Sequence, residues 1–296
     1  MEASPTRTGV LAATAAYLTW GFAPVYWKLL QEVPALELVA HRVLWSFVLV
    51  IAWLAASRRL AELRTAWANS ATRTRLLATT VLIAVNWGLF IWAVNSGHIL
   101  QASLGYYINP LVSVLLGLLV LRERLSRAQG VAVALASLGV AVLALSVGSL
   151  PWVSLALAGS FGLYGLLRKT VHAGPVLGLA FETSLLAPLA LAWLVALGLE
   201  GRGALGRIST TTDLLLVFTG VLTAVPLLLF TTGARRLPLN LIGLLQYLTP
   251  TCHFALAVAV YHEPFSSAHA VTFALIWAAL ALYTADARRR IARRRG

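Results

Sequence analysis

The sequence predicts an all-α integral membrane protein with ten transmembrane helices arranged as two inverted five-helix repeats. Three observations predict it. The chain is 59% hydrophobic and only 11% charged, with a mean hydropathy of +0.83, far from the composition of soluble domains. Ten apolar runs can be drawn, each close to the roughly 20 residues that cross about 30 Å of hydrocarbon. Finally, LGYYINPLVSVLLGLLVLRERLS, from Leu104 to Ser126, returns without a gap 140 positions later as LLQYLTPTCHFALAVAVYHEPFS, from Leu244 to Ser266. The offset sets Tyr107 on Tyr247, Pro110 on Pro250, Glu123 on Glu263 and Ser126 on Ser266. Each copy carries one proline a third of the way along. Proline removes a backbone donor and kinks a helix, which lipid tolerates only where protein or a cavity satisfies the freed carbonyl. Two kinks at matching places therefore predict a cavity.

Taken in order, the runs fall at about 9–29, 35–56, 76–95, 101–121, 128–147, 151–168, 176–198, 212–232, 240–261 and 268–286. The first follows Arg7 and is longer than the roughly 7 to 15 apolar residues of a signal peptide core, so it reads as a membrane helix. Ser126 and Gln129 have the spacing of a capping box and open the fifth. The same offset carries Asn86 onto Pro226, Phe90 onto Phe230, Lys28 onto Arg168 and Arg42 onto Glu182. The chain thus divides into repeats 1–149 and 150–287, followed by a polybasic tail at 288–296. Five is an odd number, so the second repeat enters the membrane upside down, the plan of many secondary transporters.

Charge placement orients the bundle. All 23 basic residues except Lys28, Arg42, Arg202 and Arg207 fall on one side, which predicts that both termini are cytoplasmic. The excess of 23 basic over 10 acidic residues is spread over short gaps between runs, so it argues for membrane orientation and against a nucleic-acid partner. The tail can also attract anionic lipid. Cys252 is the only cysteine, and no cysteine and histidine pairs have metal-site spacing, so neither a cofactor nor a metal is expected. The motifs GxxxxGK[ST], HExxH and GxSxG are absent, which favours a transporter over an ATP-driven pump or an intramembrane lipid-modifying enzyme. A non-transporting scaffold is the remaining alternative. Ala270, Ala274, Ala278 and Ala281 form a small-residue stripe that suits either internal packing or a homodimer.

The stretches AYLTWGFAPVYWKLL (Ala16 to Leu30), PALELVAHRVLWS (Pro34 to Ser46), NWGLFIWAVNSGHILQASLGYYINPLVSVLLG (Asn86 to Gly117), SFGLYGLLRK (Ser160 to Lys169) and LLQYLTP (Leu244 to Pro250) are specific enough to name a family. The chain resembles the RarD-type branch of the EamA transporters, within the drug/metabolite transporter superfamily. That resemblance implies ten helices in two inverted repeats in the bacterial inner membrane. It also implies a permease of small organic solutes, members often being labelled chloramphenicol-sensitivity proteins. Cys252 and His253 depart from the family pattern.

Candidate pathway residues follow from position. Arg42 and Glu182 are the charges deepest in their runs, and charge in the membrane core must face a partner or a cavity. They are expected either to meet as a structural pair or to serve as an anion-binding arginine and a protonatable glutamate. Glu37, His41 and Trp45 share one helical face; His41 is a candidate proton relay, and Glu37 is expected to be solvated near the outer surface. Tyr17, Trp20, Pro24 and Lys28 form a stripe on the first helix, where broad aromatic faces suit ligands of mixed character. Trp27 reads as an interfacial anchor. Tyr106, Pro110 and Ser113 on the fourth helix correspond to Gln246, Pro250 and His253 on the ninth, and Asn86, Asn109 and Tyr164 add neutral hydrogen-bonding groups. Glu123 and Glu263 are expected to cap helices or pair in turns.

Overall fold

The structure, a computed structural model, describes residues 5–96, 98–147, 151–262 and 266–293. Among these there are helices and no strand: α1 (Pro5–Lys28), α2 (Ala35–Ala56), α3 (Leu60–Ala68), α4 (Ser70–Asn95), α5 (Ile99–Leu119), α6 (Arg127–Val147), α7 (Trp152–Thr170), α8 (Pro175–Leu199), α9 (Thr210–Arg236), α10 (Leu239–Gln246), α11 (Leu248–Ala259) and α12 (Ser267–Arg293). Eight spans, counting α10 and α11 as one, are long and apolar enough to cross a bilayer. The other two long helices, α1 and α7, are 24 and 19 residues. Their apolarity is diluted by the Thr, Ser, Gly, Tyr and Trp that they turn toward neighbouring helices. The expected runs lie on these helices within a few residues, but α3 was not expected. It is nine residues long, too short and too charged to register as a span, and it docks by stacking Trp67 on Phe181 of α8 at 4.4 Å.

The packing pairs are α1 on α9, α10 and α11; α7 on α4 and α5; α2 on α9; α8 on α4; α2 on α8; α5 on α10; and α6 on α12. Local geometry repeats at the 140-residue offset. Val120 donates its N–H to Leu116 O at 2.9 Å and Val260 to Leu256 O at 3.0 Å. Two residues further on, Arg122 and His262 both take the left-handed conformation, with φ of 54° and 52°, which a non-glycine residue adopts only when its surroundings demand it. Next come the caps: Gln129 N donates to Ser126 Oγ at 3.1 Å, with Ser126 N returning to Gln129 Oε1 at 2.9 Å, and His269 N reaches Ser266 Oγ at 3.4 Å. The expected capping box is therefore present.

Both prolines act as the sequence implies. Pro110 sits inside α5, whereas Pro250 follows a break between α10 and α11 at Tyr247. The carbonyls four residues earlier, on Tyr106 and Gln246, lose their helical donors. Glu123 accepts the N–H groups of Leu239 and Asn240 at 2.6 and 2.9 Å, so it caps α10, whose N-cap residue Pro238 has no side-chain acceptor. Glu263 lies outside the described residues. Gly243 lets α10 approach α5 closely, because a Cβ there would lie 2.5 Å from Pro110 O.

Several basic residues expected in loops instead bind helix ends. Lys169 donates to Ala234 O and Leu237 O, Arg235 to Val171 O at 2.6 Å and Ala173 O at 2.9 Å, and Arg75 to Thr170 O at 3.2 Å. They satisfy carbonyls that a helix C-terminus leaves without donors. The alanine stripe of α12 faces outward, while Thr272, Phe273, Ile276 and Ala279 fill the contact with α6. Internal packing therefore does not explain the stripe.

Candidate solute site

A cavity of about 280 Å³ lies between the two halves of the chain, near the lower edge of the roughly 300 to 1,000 Å³ typical of small-ligand pockets. It is displaced toward the end of the bundle that carries the C-terminus of α1 and the N-terminus of α2. Both proline-bearing segments contribute: Tyr106 and Asn109 from α5, Gln246 and Thr249 from the α10 to α11 junction. These are the residues at or beside the freed carbonyls. Asn109 Oδ1 and Gln246 Oε1 are buried and lack hydrogen-bond donors among the described residues. Asn86, also in the wall, spends its amide on Leu157 O and Ser160 Oγ, both at 2.9 Å.

Arg42 brings the charge. Its Nε donates to Thr223 Oγ1 at 2.9 Å, and the guanidinium carbon lies 5.0 Å from the Trp27 ring centre and 5.4 Å from that of Trp87. Among the described residues no carboxylate comes within salt-bridge distance of it. Cation–π contacts contribute about 0.5 to 2 kcal/mol each, comparable with the roughly 2.5 to 3.5 kcal/mol that a central charge costs on insertion scales. Two rings and a threonine can thus hold the cation without an anion.

Of the other expected residues, Trp20, Pro24 and His253 line the cavity as well. Tyr17, His41, Pro110, Ser113, Tyr164, Glu182 and Pro250 do not. Tyr17 is fully buried and donates to Ile242 O at 3.2 Å. Ser113 and Pro110 pack under Gly243, and Pro250 is buried at the helix break. His41 is buried too, accepting Trp45 Nε1 at Nδ1 (3.2 Å), and its Nε2 stands 3.8 Å from Glu37 Oε1. Glu37 is not solvated: it is 1% exposed, and Oε1 accepts Ala204 N at 2.6 Å. Lys28 lies 3.8 Å over the Tyr261 ring.

Arg42 and Glu182 do not meet. Glu182 accepts from Thr79 Oγ1 at 2.6 Å and Tyr164 OH at 3.2 Å, and its Oε1 lies 3.6 Å from Arg168 Nε. Arg168, expected at the cytoplasmic end of the sixth run, is fully buried; its Nη2 donates to Pro175 O at 3.0 Å, while Nε and Nη1 have no hydrogen-bond acceptor among the described residues. An aromatic plug of Tyr17, Trp20, Phe161, Tyr164 and Phe230, with ring centres 5.2 to 6.4 Å apart, separates this cluster from the cavity. Tyr164 belongs to both, ring in the plug and hydroxyl on the carboxylate.

The comparisons with known proteins agree with this architecture. A model of the EamA-like transporter family matches residues 7–145. The uncharacterized transporter YojE of Bacillus subtilis strain 168 is 48% identical over 96% of each chain, and protein RarD of Escherichia coli K12 is 45% identical over 97% of each. The chain belongs to the EamA-like transporter family. It is a RarD-type member of the drug/metabolite transporter superfamily and a multi-pass membrane transporter. The chloramphenicol-sensitive protein RarD of Pseudomonas aeruginosa is 36% identical over 95% of each chain. A solved crystal structure with 21% identity shares the fold, with a TM-score of 0.72 over 95% of this chain and 98% of the other.

In this EamA-like transporter, sequence reasoning missed Arg168, Thr79, Thr223 and Trp87, and it read as an interfacial anchor Trp27, which lines the cavity and packs on Arg42. Arg168 stands one helical turn after Tyr164, so a shared face with a buried tyrosine was the available signal. Thr79 on α4 and Thr223 on α9 are one helical turn apart once the 140-residue offset is applied, and each holds the charge of the helix packed against it.

Proposed function

We propose that the chain is a secondary transporter that exports a small organic solute, metabolite or drug across the bacterial inner membrane by alternating access. The observation that carries this reading is an asymmetry at equivalent positions. Tyr106 with Gln246 and Asn109 with Thr249 all line the cavity, so the centre of the site belongs to both halves. Away from the centre the halves differ: Trp20, Pro24 and Arg42 line the cavity, while their counterparts Ser160, Tyr164 and Glu182 are buried in packed structure. Exchange of these two environments closes the cavity on one side and opens it on the other, with Glu182 and Tyr164 taking the places of Arg42 and Pro24.

The reading rests on ten membrane helices in two inverted repeats, 1–149 and 150–287, with α1 and α7 as the first helix of each. The exchange of packing partners supports it, since α1 on α9 maps to α7 on α4, and α2 on α9 maps to α8 on α4. The paired left-handed residues Arg122 and His262 support it too. An inverted repeat places its solute site at the repeat interface, near the membrane midplane. With both termini cytoplasmic, the cavity faces outward. Reporters fused after Arg64 and after Arg290 read cytoplasmic and one after Glu200 reads external; a shared side for Arg64 and Glu200 overturns the ten-helix count.

The function itself is tested by flux. Purified protein in proteoliposomes moves at least one member of a panel of amphenicol drugs, amino acids and other metabolites faster than protein-free vesicles, and the solute emerges chemically unchanged. A solute altered in transit identifies an intramembrane enzyme instead, and no flux with any panel member leaves a scaffold.

A further inference from the structure

Resting on the reading of the cavity as the solute site, we propose that it selects a small organic carboxylate that also carries a neutral hydrogen-bond donor. Arg42 is the fixed charge of the cavity, and no aspartate or glutamate is among the described residues that line it. A cationic solute would meet a like charge with nothing to offset it. Trp27 and Trp87 pack against the guanidinium, and Nε is taken by Thr223. The terminal Nη atoms have no acceptor among the described residues, so an edge of the planar group is available for two parallel bonds to a carboxylate.

The second requirement comes from different residues. Asn109 and Gln246 are each 6% exposed, and the Oδ1 and Oε1 atoms of their amides have no donor among the described residues. They stand on the two proline-bearing segments that share the cavity. A buried acceptor without a donor is costly, so turning either amide to present its oxygen to a solute N–H or O–H group gains a hydrogen bond. Between these polar groups the wall is aromatic and aliphatic, from Trp20, Phe161 and Leu227 among others, which suits an apolar body. The composite is a carboxylate, one donor and an apolar chain, at a size close to an acylated amino acid.

Four probes of nearly one shape separate the requirements: N-acetyl-leucine (anion with donor), N-acetyl-leucinamide (neutral), leucinamide (cation) and 4-methylpentanoate (anion without donor). Binding is read in detergent by the probe-dependent rise in melting temperature and by tryptophan fluorescence, independently of transport. N-acetyl-leucine binds at least about ten-fold tighter than its neutral amide and than 4-methylpentanoate, and leucinamide binds weakest. Arg42→Gln removes the preference for the anion, whereas Arg42→Lys keeps part of it. Equal binding of N-acetyl-leucine and its amide by the unaltered protein overturns the proposal without any variant, and so does binding of none of the four. Anion-selective binding without flux keeps this inference and sinks the transporter reading; flux with charge-blind binding does the reverse.

Discussion

Replacing Arg168 by methionine lowers the stability of the protein by about 3 to 5 kcal/mol, because it leaves the Glu182 carboxylate buried without its cation. Glu182 is 2% exposed and Arg168 is fully buried, so water cannot take over the lost interaction. The two remaining hydrogen bonds, from Thr79 and Tyr164, do not supply a charge. The double change Arg168→Met/Glu182→Leu recovers most of the loss, since two apolar groups of similar volume often replace a buried pair at little net cost. Chemical and thermal unfolding in detergent, arranged as a double-mutant cycle, measures both. The pair is not a unit if the double variant is as unstable as the sum of the singles.

Glu182→Gln abolishes the pH dependence of solute flux. A carboxyl that carries the coupling proton must load it on one side and release it on the other. The rate of the unaltered protein therefore falls at both extremes of pH, where the group stays ionised or stays protonated. Glutamine keeps the shape and the bonds to Thr79 and Tyr164 but cannot titrate, so the profile becomes flat and an imposed proton gradient no longer drives accumulation. Because the single change also strands Arg168, the same profile is measured on Arg168→Met/Glu182→Gln, which holds neither charge. A normal pH profile in a folded Glu182→Gln protein removes the carboxyl from coupling and leaves His41 as the next candidate.

Much of this molecule is written in near-neighbour terms. Membrane spans follow from runs of apolar residues, and the observed helices begin and end within a few residues of them. The lost hydrogen bond within α5, the break before α11 and the Ser126 capping box depend on proline and serine acting on backbone groups three or four positions away. The placement of basic residues also follows from sequence, though several serve as caps on Ala234, Leu237, Val171 and Ala173 rather than as free loop charges.

Helix α3 escaped because its nine residues carry no membrane-length signal and their docking depends on Trp67 finding Phe181. The partners of buried charges escaped for a different reason. Equal offset placed Arg42 and Glu182 at corresponding positions, which invited the expectation that they meet. In the proposed inverted repeat, an axis in the membrane plane puts corresponding positions off that axis at opposite depths, so correspondence would separate them. Arg42 then finds aromatic rings and Thr223 at the cavity, and Glu182 finds Arg168 below the aromatic plug. The sequence by itself determined the long helices and the places where proline interrupts their bonding, because each depends on residues within a turn or two of one another, and the 140-residue offset is read from it directly. Which residues share the cavity, and which charge offsets which, was decided only by tertiary structure, since those contacts join different helices: Arg42 to Thr223 and Thr79 to Glu182 lie more than a hundred residues apart, and Arg168 meets Glu182 only through the way α7 and α8 sit on their neighbours.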